Sequence, residues 1–261
     1  MSVPYERLRQ VSEVAGVVLA DNPSPMTLEG TNTWLLRDDP GRREAVVVDP
    51  GPLDEVHLHA VLAAAGSVPL ILLTHGHPDH SAGARRLAEL TGAPVYALDP
   101  AHRHGGEGLA EGAVLGGAGV RIEVWQTPGH TADSLCFLLP AGGPTRAVLT
   151  GDTILGRGTT VVAHPDGVLA DYLASLRRLA GLAGVSVLPG HGPELPDAGT
   201  AATDYLAHRE QRLDQVRAVL AELPDASPQQ VVERVYAEVE RALWPAAELS
   251  VRAQLAYLRQ A

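Results

Sequence analysis

The stretch LLTHGHPDHSAG, residues 72–83, sets three imidazoles and a carboxylate directly behind an apolar run: His75, His77, Asp79 and His80. Three other places repeat the pattern of an apolar run, a Gly or Pro-Gly turn and a metal-capable side chain. They are EVWQTPGH ending at His130, AVLTGD ending at Asp152, and VSVLPGH ending at His191. In layered α/β folds the loops at strand ends converge into a site. Four such ends can bring seven ligands together. Imidazole and carboxylate suit zinc, iron or manganese. Gathering these side chains without a cation to compensate the two carboxylates would be costly.

The elements that must position them read as follows. Short apolar runs at 15–20, 31–37, 45–51 and 68–75 are predicted strands. So are 93–99, 120–130, 134–140, 146–152, 158–162 and 185–192. Helical spacing covers 53–66, 81–92 and 169–184. Two groups of strands with interspersed helices predict an α/β layered sandwich over residues 1–198. From residue 199 to 261 the texture becomes helical. There a long helix is followed by a segment with a capping box: Ser227, then Pro228 at the first helical position, then Gln230. A terminal helix starts near WPAAEL.

Composition limits the function. A chain of 261 residues with 45% hydrophobic content supports one sizeable core and a small appended subdomain. All 20 basic residues are arginine, and the net charge of -11 speaks against a broad phosphate-tracking surface. A local basic groove remains compatible with it. The single cysteine, Cys136, excludes an internal disulfide and a Cys-based zinc cluster; it reads as a small hydrophobe in a strand. The N-terminus is charged and lacks an apolar signal core, and no stretch reaches transmembrane length. A soluble cytoplasmic protein without a membrane partner is the expectation.

THGHPDH resembles the T-H-x-H-x-D-H signature of the metallo-β-lactamase superfamily, and TPGHT, TGD and PGHG are similar to its later motifs in the same order. The resemblance implies an αββα four-layer sandwich with the site at one edge of two sheets. Carried over residue by residue, it implies that His75, His77 and His130 hold one metal, that Asp79, His80 and His191 hold a second, and that Asp152 bridges them. Two Zn2+ are expected, with Fe or Mn as alternatives. A metal-bridging hydroxide would be the nucleophile, and Asp79 the catalytic orienting group and proton shuttle. Zinc β-lactamases of the main clinical group carry a cysteine where this chain has Asp152. The aspartate instead matches glyoxalase II, metallo-nucleases and other hydrolases, so a true β-lactamase is not expected.

PSPMTLEGTNTWLL, TADSLCFLL, LAHREQRLDQV and WPAAELSVRAQL are similar to the branch called β-lactamase-like protein 2, which adds a small helical, winged-helix-like C-terminal subdomain. That branch includes endoribonucleases for single-stranded RNA, and related fungal proteins release polyketides from carrier-bound thioesters. The short spacings between His130, Asp152 and His191 leave no room for a β-CASP nuclease insert. Arginines 209, 212, 217, 234, 241, 252 and 259 are interleaved with acids, the pattern of a solvated face rather than a glutathione-binding patch. The expected activity is hydrolysis of a small-molecule ester or thioester. Cleavage of single-stranded RNA is the alternative, and a non-catalytic nucleic-acid-binding module with a structural metal is a third reading.

Several residues outside the seven carry weaker expectations. Asp49 reads equally as a partner of a ligand histidine and as a turn cap. Thr31 and Asn32 line the pocket or belong to a plain turn. Thr131 and Ser134 hydrogen-bond ligands or cap their turn. His57 and His59, two apart on a helix, do not share a face and read as surface residues, as do His102 and His104. His208 and Arg209 suggest a structural contact at the subdomain boundary. His164 reads as a surface residue, with leaving-group acid as the functional alternative.

Overall fold

The computed structural model describes residues 4–140 and 146–259. The first three residues of the N-terminal stretch and the last residues of the terminal helix predicted above lie outside these. Strands β1 (Leu8–Gln10), β2 (Ala15–Leu19), β3 (Asn32–Leu36), β4 (Val46–Val48), β5 (Ile71–Leu72), β6 (Val95–Ala97) and β7 (Gly105–Gly108) form one sheet in chain order. Strands β8 (Val114–Gly117), β9 (Val120–Gln126), β10 (Leu135–Leu139), β11 (Ala147–Gly151) and β12 (Ser186–Pro189) form the other, ordered β12-β11-β10-β9-β8. Pairing is antiparallel from β1 to β4 and parallel from β4 to β7.

Alternating strand residues face two ways, and each face is apolar, so the sheets are covered on both sides. Trp34, Leu36, Val46, Val48, Leu72, Val124, Phe137 and Leu149 fill the space between the sheets. The outer face of the first sheet buries Leu35, Val47, Ile71 and Leu73 against α1 (Glu55–Ala65) and α3 (Ala84–Thr91). The outer face of the second buries Cys136, Leu138, Val148 and Val187 against α4 (Leu169–Leu179) and α5 (Ala198–Glu222). The result is the αββα order of layers expected from the sequence. α6 (Pro228–Val235) and α7 (Trp244–Leu258) pack with the second half of α5 around Val216, Val231, Val232 and Val251. Both bonds of the Ser227–Gln230 capping box are present.

Two expectations need correction. Residues 158–162 form no strand: the carbonyls of Thr160 and Val161 are taken by Arg209 Nη2 and His130 Nδ1 instead of a neighbouring strand. His57 is fully buried rather than on the surface, because α1 turns it inward with Leu58, Val61 and Ala65.

Candidate metal centre

Every one of the seven predicted residues reaches one place. His75 and His77 stand either side of Gly76 in the irregular stretch between β5 and the next helix. Pro78 then opens a one-turn helix, α2 (Pro78–Ser81), with His77 at its N-cap; proline's fixed φ suits that first position. The turn sends Asp79 and His80 in a different direction from His75 and His77. Ser81 Oγ donates to the Gly76 carbonyl at 2.9 Å and ties the loop closed. His130, Asp152 and His191 arrive from the loops after β9, β11 and β12.

Ligand-capable atoms fall into two groups, each within 4.8 Å: His75, His77, His130 and Asp152, and then Asp79, His80 and His191. In the first, His77 Nδ1 lies 3.0 Å from His75 Nε2 and 3.1 Å from His130 Nε2. In the second, His191 Nε2 lies 3.1 Å from both His80 Nε2 and Asp79 Oδ2. Asp152 stands between them. Its Oδ1 is 3.4 Å from His80 Nε2 and from His191 Nε2, and its Oδ2 is 3.7 Å from His130 Nε2.

The outer ring nitrogens fix which atoms face inward. Nδ1 of His130 donates to the Val161 carbonyl at 2.8 Å, and Nδ1 of His191 to the Gly30 carbonyl at 3.1 Å. Nδ1 of His80 donates to Asp49 Oδ2 at 2.9 Å. Thr74 Oγ1 gives its proton to Asp49 Oδ2 at 2.7 Å, so it accepts from His75 Nδ1 at 3.0 Å. With these four Nδ1 atoms carrying protons, the Nε2 atoms of His75, His80, His130 and His191 converge, and His77 meets them through its Nδ1. Converging lone pairs repel unless a cation or protons lie between them. Asp152 Oδ1 is buried and has no hydrogen-bond partner, which costs free energy unless a cation compensates it. The residues therefore fit a metal pair.

Charge within the cluster tells the same story. Burial pushes the Asp79 carboxyl up, but the His191 hydrogen bond and the proximity of His80 outweigh it and hold it at about 2. Burial likewise opposes ionisation of Asp152, which His191 and His80 nonetheless keep well below the usual carboxylate range. His191 is disfavoured as a cation by burial, yet Asp152 and Asp79 raise it to about 9. Burial holds His75 and His130 below the usual imidazole range. Protons on one set of imidazoles thus do the compensating that cations would do, and metal uptake has to displace them. Gly190 passes close by: a Cβ there would sit 2.6 Å from His80 Cε1 and 2.7 Å from Asp152 Oδ1.

The surrounding residues divide cleanly. Asp49 partners His80, a candidate ligand, in keeping with one of its two readings. Asn32 Nδ2 donates to the carbonyls of Pro189 at 3.0 Å and Gly192 at 2.9 Å, bracing the loop that carries His191. Thr31 Oγ1 reaches Asp79 Oδ2 at 3.5 Å. Thr131 and Ser134 bond each other at 2.7 Å and cap their own turn. His59 and His104 are exposed. His102 is half-buried, and its Nε2 lies 2.4 Å from where a Cβ on Gly76 would stand. It packs on the ligand loop, a contact that only the glycine between two histidines hinted at. His164 is exposed and borders a small cavity with Ala253 and Tyr257 of α7. His208 is half-buried and Arg209 buried. Arg209 stacks 5.1 Å over the Tyr172 ring while its Nη2 donates to the Thr160 carbonyl.

Fold and site together define a four-layer αββα scaffold with a His/Asp cluster that could hold metal ions, and residues 26–191 match the family model of the metallo-beta-lactamase superfamily, to which the chain belongs. Residues 227–260 match the beta-lactamase associated winged helix domain. Members of the superfamily are typically metal-dependent hydrolases. A beta-lactamase-like protein 2 homolog of Caenorhabditis elegans is 31% identical over 89% of this chain and 80% of its own. The lactamase-like protein vrtG of Penicillium aethiopicum is 32% identical over 90% of this chain and 75% of its own. Among solved structures, a beta-lactamase domain protein from Burkholderia ambifaria superposes with a TM-score of 0.81 at 23% identity, covering 99% of this chain and 90% of that one. No helix among the described residues is long and apolar enough to cross a membrane.

Proposed function

We propose that the protein hydrolyses an ester or thioester of a small acyl substrate at a dinuclear zinc site. The observation that carries this reading is Asp152. One of its oxygens faces each histidine group, and the oxygen toward His80 and His191 is buried without a partner. His75, His77 and His130 would hold one ion and Asp79, His80 and His191 the other, with Asp152 shared. A metal pair supplies Lewis acidity, acidifying water and polarising the scissile group. Asp79, still a carboxylate at neutral pH and 28% exposed in its side chain, orients the attacking water and accepts its proton at Oδ2. Thr31 Oγ1 holds that oxygen in place. Gly30 and Val161 carbonyls keep His191 and His130 in the tautomer that turns Nε2 inward.

The acyl reading is supported by charge. In the C-terminal region Arg217 pairs with Glu210 and Asp214, Arg234 with Glu222, and Arg252 with Glu248. These three arginines, neutralised in this way, add nothing to a track for a phosphate backbone. The match to a winged helix domain favours a second reading, single-stranded RNA cleavage. Metal analysis coupled to a panel of acyl-thioesters, a glutathione thioester, labelled single-stranded RNA and nitrocefin decides between them. Thioester turnover that disappears in His75→Ala and Asp79→Ala supports the proposal. RNA cleavage with steep salt dependence and no thioesterase activity replaces it with the second reading. Full activity in metal-free protein refutes both.

A further inference from the structure

Glu6, Thr33 and His57 come from three elements: the turn before β1, strand β3 and helix α1. They meet in the interior, where His57 is completely buried. Its Nδ1 lies 2.7 Å from Glu6 Oε2, and its Nε2 lies 2.8 Å from Thr33 Oγ1. Thr33 has one hydroxyl proton and donates it to the Asp49 carbonyl at 2.7 Å. Toward His57 the hydroxyl is therefore an acceptor, and Nε2 is the donor. The second Glu6 oxygen accepts from the Asp21 amide at 3.1 Å, so the carboxylate is anchored as well.

The chain of bonds ends at a strained residue. Asp49 has φ +52, in the left-handed region, a conformation that persists in a non-glycine residue only where its surroundings enforce it. Its side chain does the work described above: Oδ1 accepts from the Thr74 amide at 2.8 Å and Oδ2 from His80 Nδ1 at 2.9 Å. Thr33 fixes the other end of the same residue by holding its carbonyl. His57 also floors the turn that follows. A Cβ at Gly51 (φ +86) would lie 2.8 Å from the His57 ring, and the Gly51 amide donates to the His80 carbonyl at 3.1 Å. His80 is thus held at its ring through Asp49 and at its backbone through Gly51, and both contacts rest on His57.

We infer that His57, keyed by Glu6, is a positioning residue for the Asp79–His80–His191 ligand group, acting through Thr33 and the Asp49–Gly51 turn. The inference rests on the two-metal reading. Partners of ligand histidines typically tune metal affinity by about 10- to 100-fold; His57 acts further out, and Asp49 touches the His80 ring directly but reaches His75 only by way of Thr74, so the group containing His80 should suffer more.

The test uses full-length protein, with zinc stoichiometry by elemental analysis and stepwise affinities by chelator competition. Wild type is expected to bind two equivalents. Thr33→Val and His57→Leu are expected to weaken one equivalent by about tenfold and the other by clearly less. His57→Gln, whose amide can still donate to Thr33, is expected to recover most of the loss. A purely structural role would lower thermal stability without separating the two affinities. Two unchanged affinities in Thr33→Val, or an equal loss in both, overturn the inference while leaving the two-metal reading intact. Wild type that takes up no metal overturns both. Thr33→Val removes only one hydroxyl function, so it carries the test if His57→Leu does not fold.

Discussion

Gly190→Ala offers the most direct test of how tightly the site is built. The new Cβ would sit 2.6 Å from His80 Cε1 and 2.7 Å from Asp152 Oδ1. Non-bonded heavy atoms settle near 3.5 Å, so His80, Asp152 or the backbone must give by roughly 0.8 Å. Neither side chain has room. His80 is fully buried and tied to Asp49, and Asp152 is wedged between two histidine groups. Overpacking of this kind costs about 1–3 kcal/mol of stability. A displacement near 1 Å in a catalytic constellation costs on the order of 100-fold in rate. Because Gly190 does not have a positive φ, the effect is steric rather than conformational. The control is Gly184→Ala, at φ +70 with nothing within 4 Å of its Cβ. That substitution should cost about 1–2 kcal/mol through backbone strain alone. Urea unfolding, stepwise zinc affinity and turnover are measured on both. We expect Gly190→Ala to lose metal affinity and turnover while Gly184→Ala loses only stability. Wild-type affinity and rate in Gly190→Ala would refute the geometry of the site.

Two predictions concern titrating groups away from the candidate metal centre. Burial lifts the Cys136 thiol to about 11, so native protein should resist a neutral thiol reagent and react at once in denaturant. Because its folded pKa is raised, its contribution is complete below the unfolded value of 9.0 and is lost as pH rises through about 11; Cys136→Ala should flatten the alkaline limb of stability. Hydrogen bonds donated by the Thr200 and Gly184 backbone amides hold the Asp197 carboxyl below its ordinary range at the N-cap of α5. That contribution is present above the unfolded value of 3.8 and disappears as pH falls through the folded one, so urea midpoints of Asp197→Asn should fall less steeply on acidification.

The seven site residues were legible because each ends an apolar run at a turn, a local pattern. The split into two groups came from the family resemblance rather than from spacing, and the ring tautomers of His191 and His130 depend on carbonyls of Gly30 and Val161 that no spacing announces. His57 was misread for a similar reason. Helical periodicity marks Leu58, Val61 and Ala65 as inward, but a histidine beside them is buried only if distant partners satisfy it. Glu6 and Thr33 do so from 51 and 24 positions away. Residues 158–162 look like a strand because they are β-branched and flanked by glycine. Their carbonyls serve Arg209 and His130 because α5 lies against them, a tertiary choice overriding local preference.

Helix α5 has a practical consequence for anyone dividing the chain. Its 25 residues run unbroken from one core to another. Ala198, Ala202, Tyr205 and Leu213 belong to the layer behind the second sheet, while Val216 and Val219 belong to the C-terminal cluster. The Leu155 amide, just beyond Asp152, also donates to Tyr205 Oη at 3.0 Å. Boundaries that tolerate cutting fall in exposed linkers, and here the junction is the interior of a rigid rod. A fragment ending at residue 198 would leave an open apolar trough behind Tyr172 and Val187, and one beginning there would carry a helix with half its face unpaired. The winged-helix match is better pictured as a handle welded to the blade than as a bead on a string.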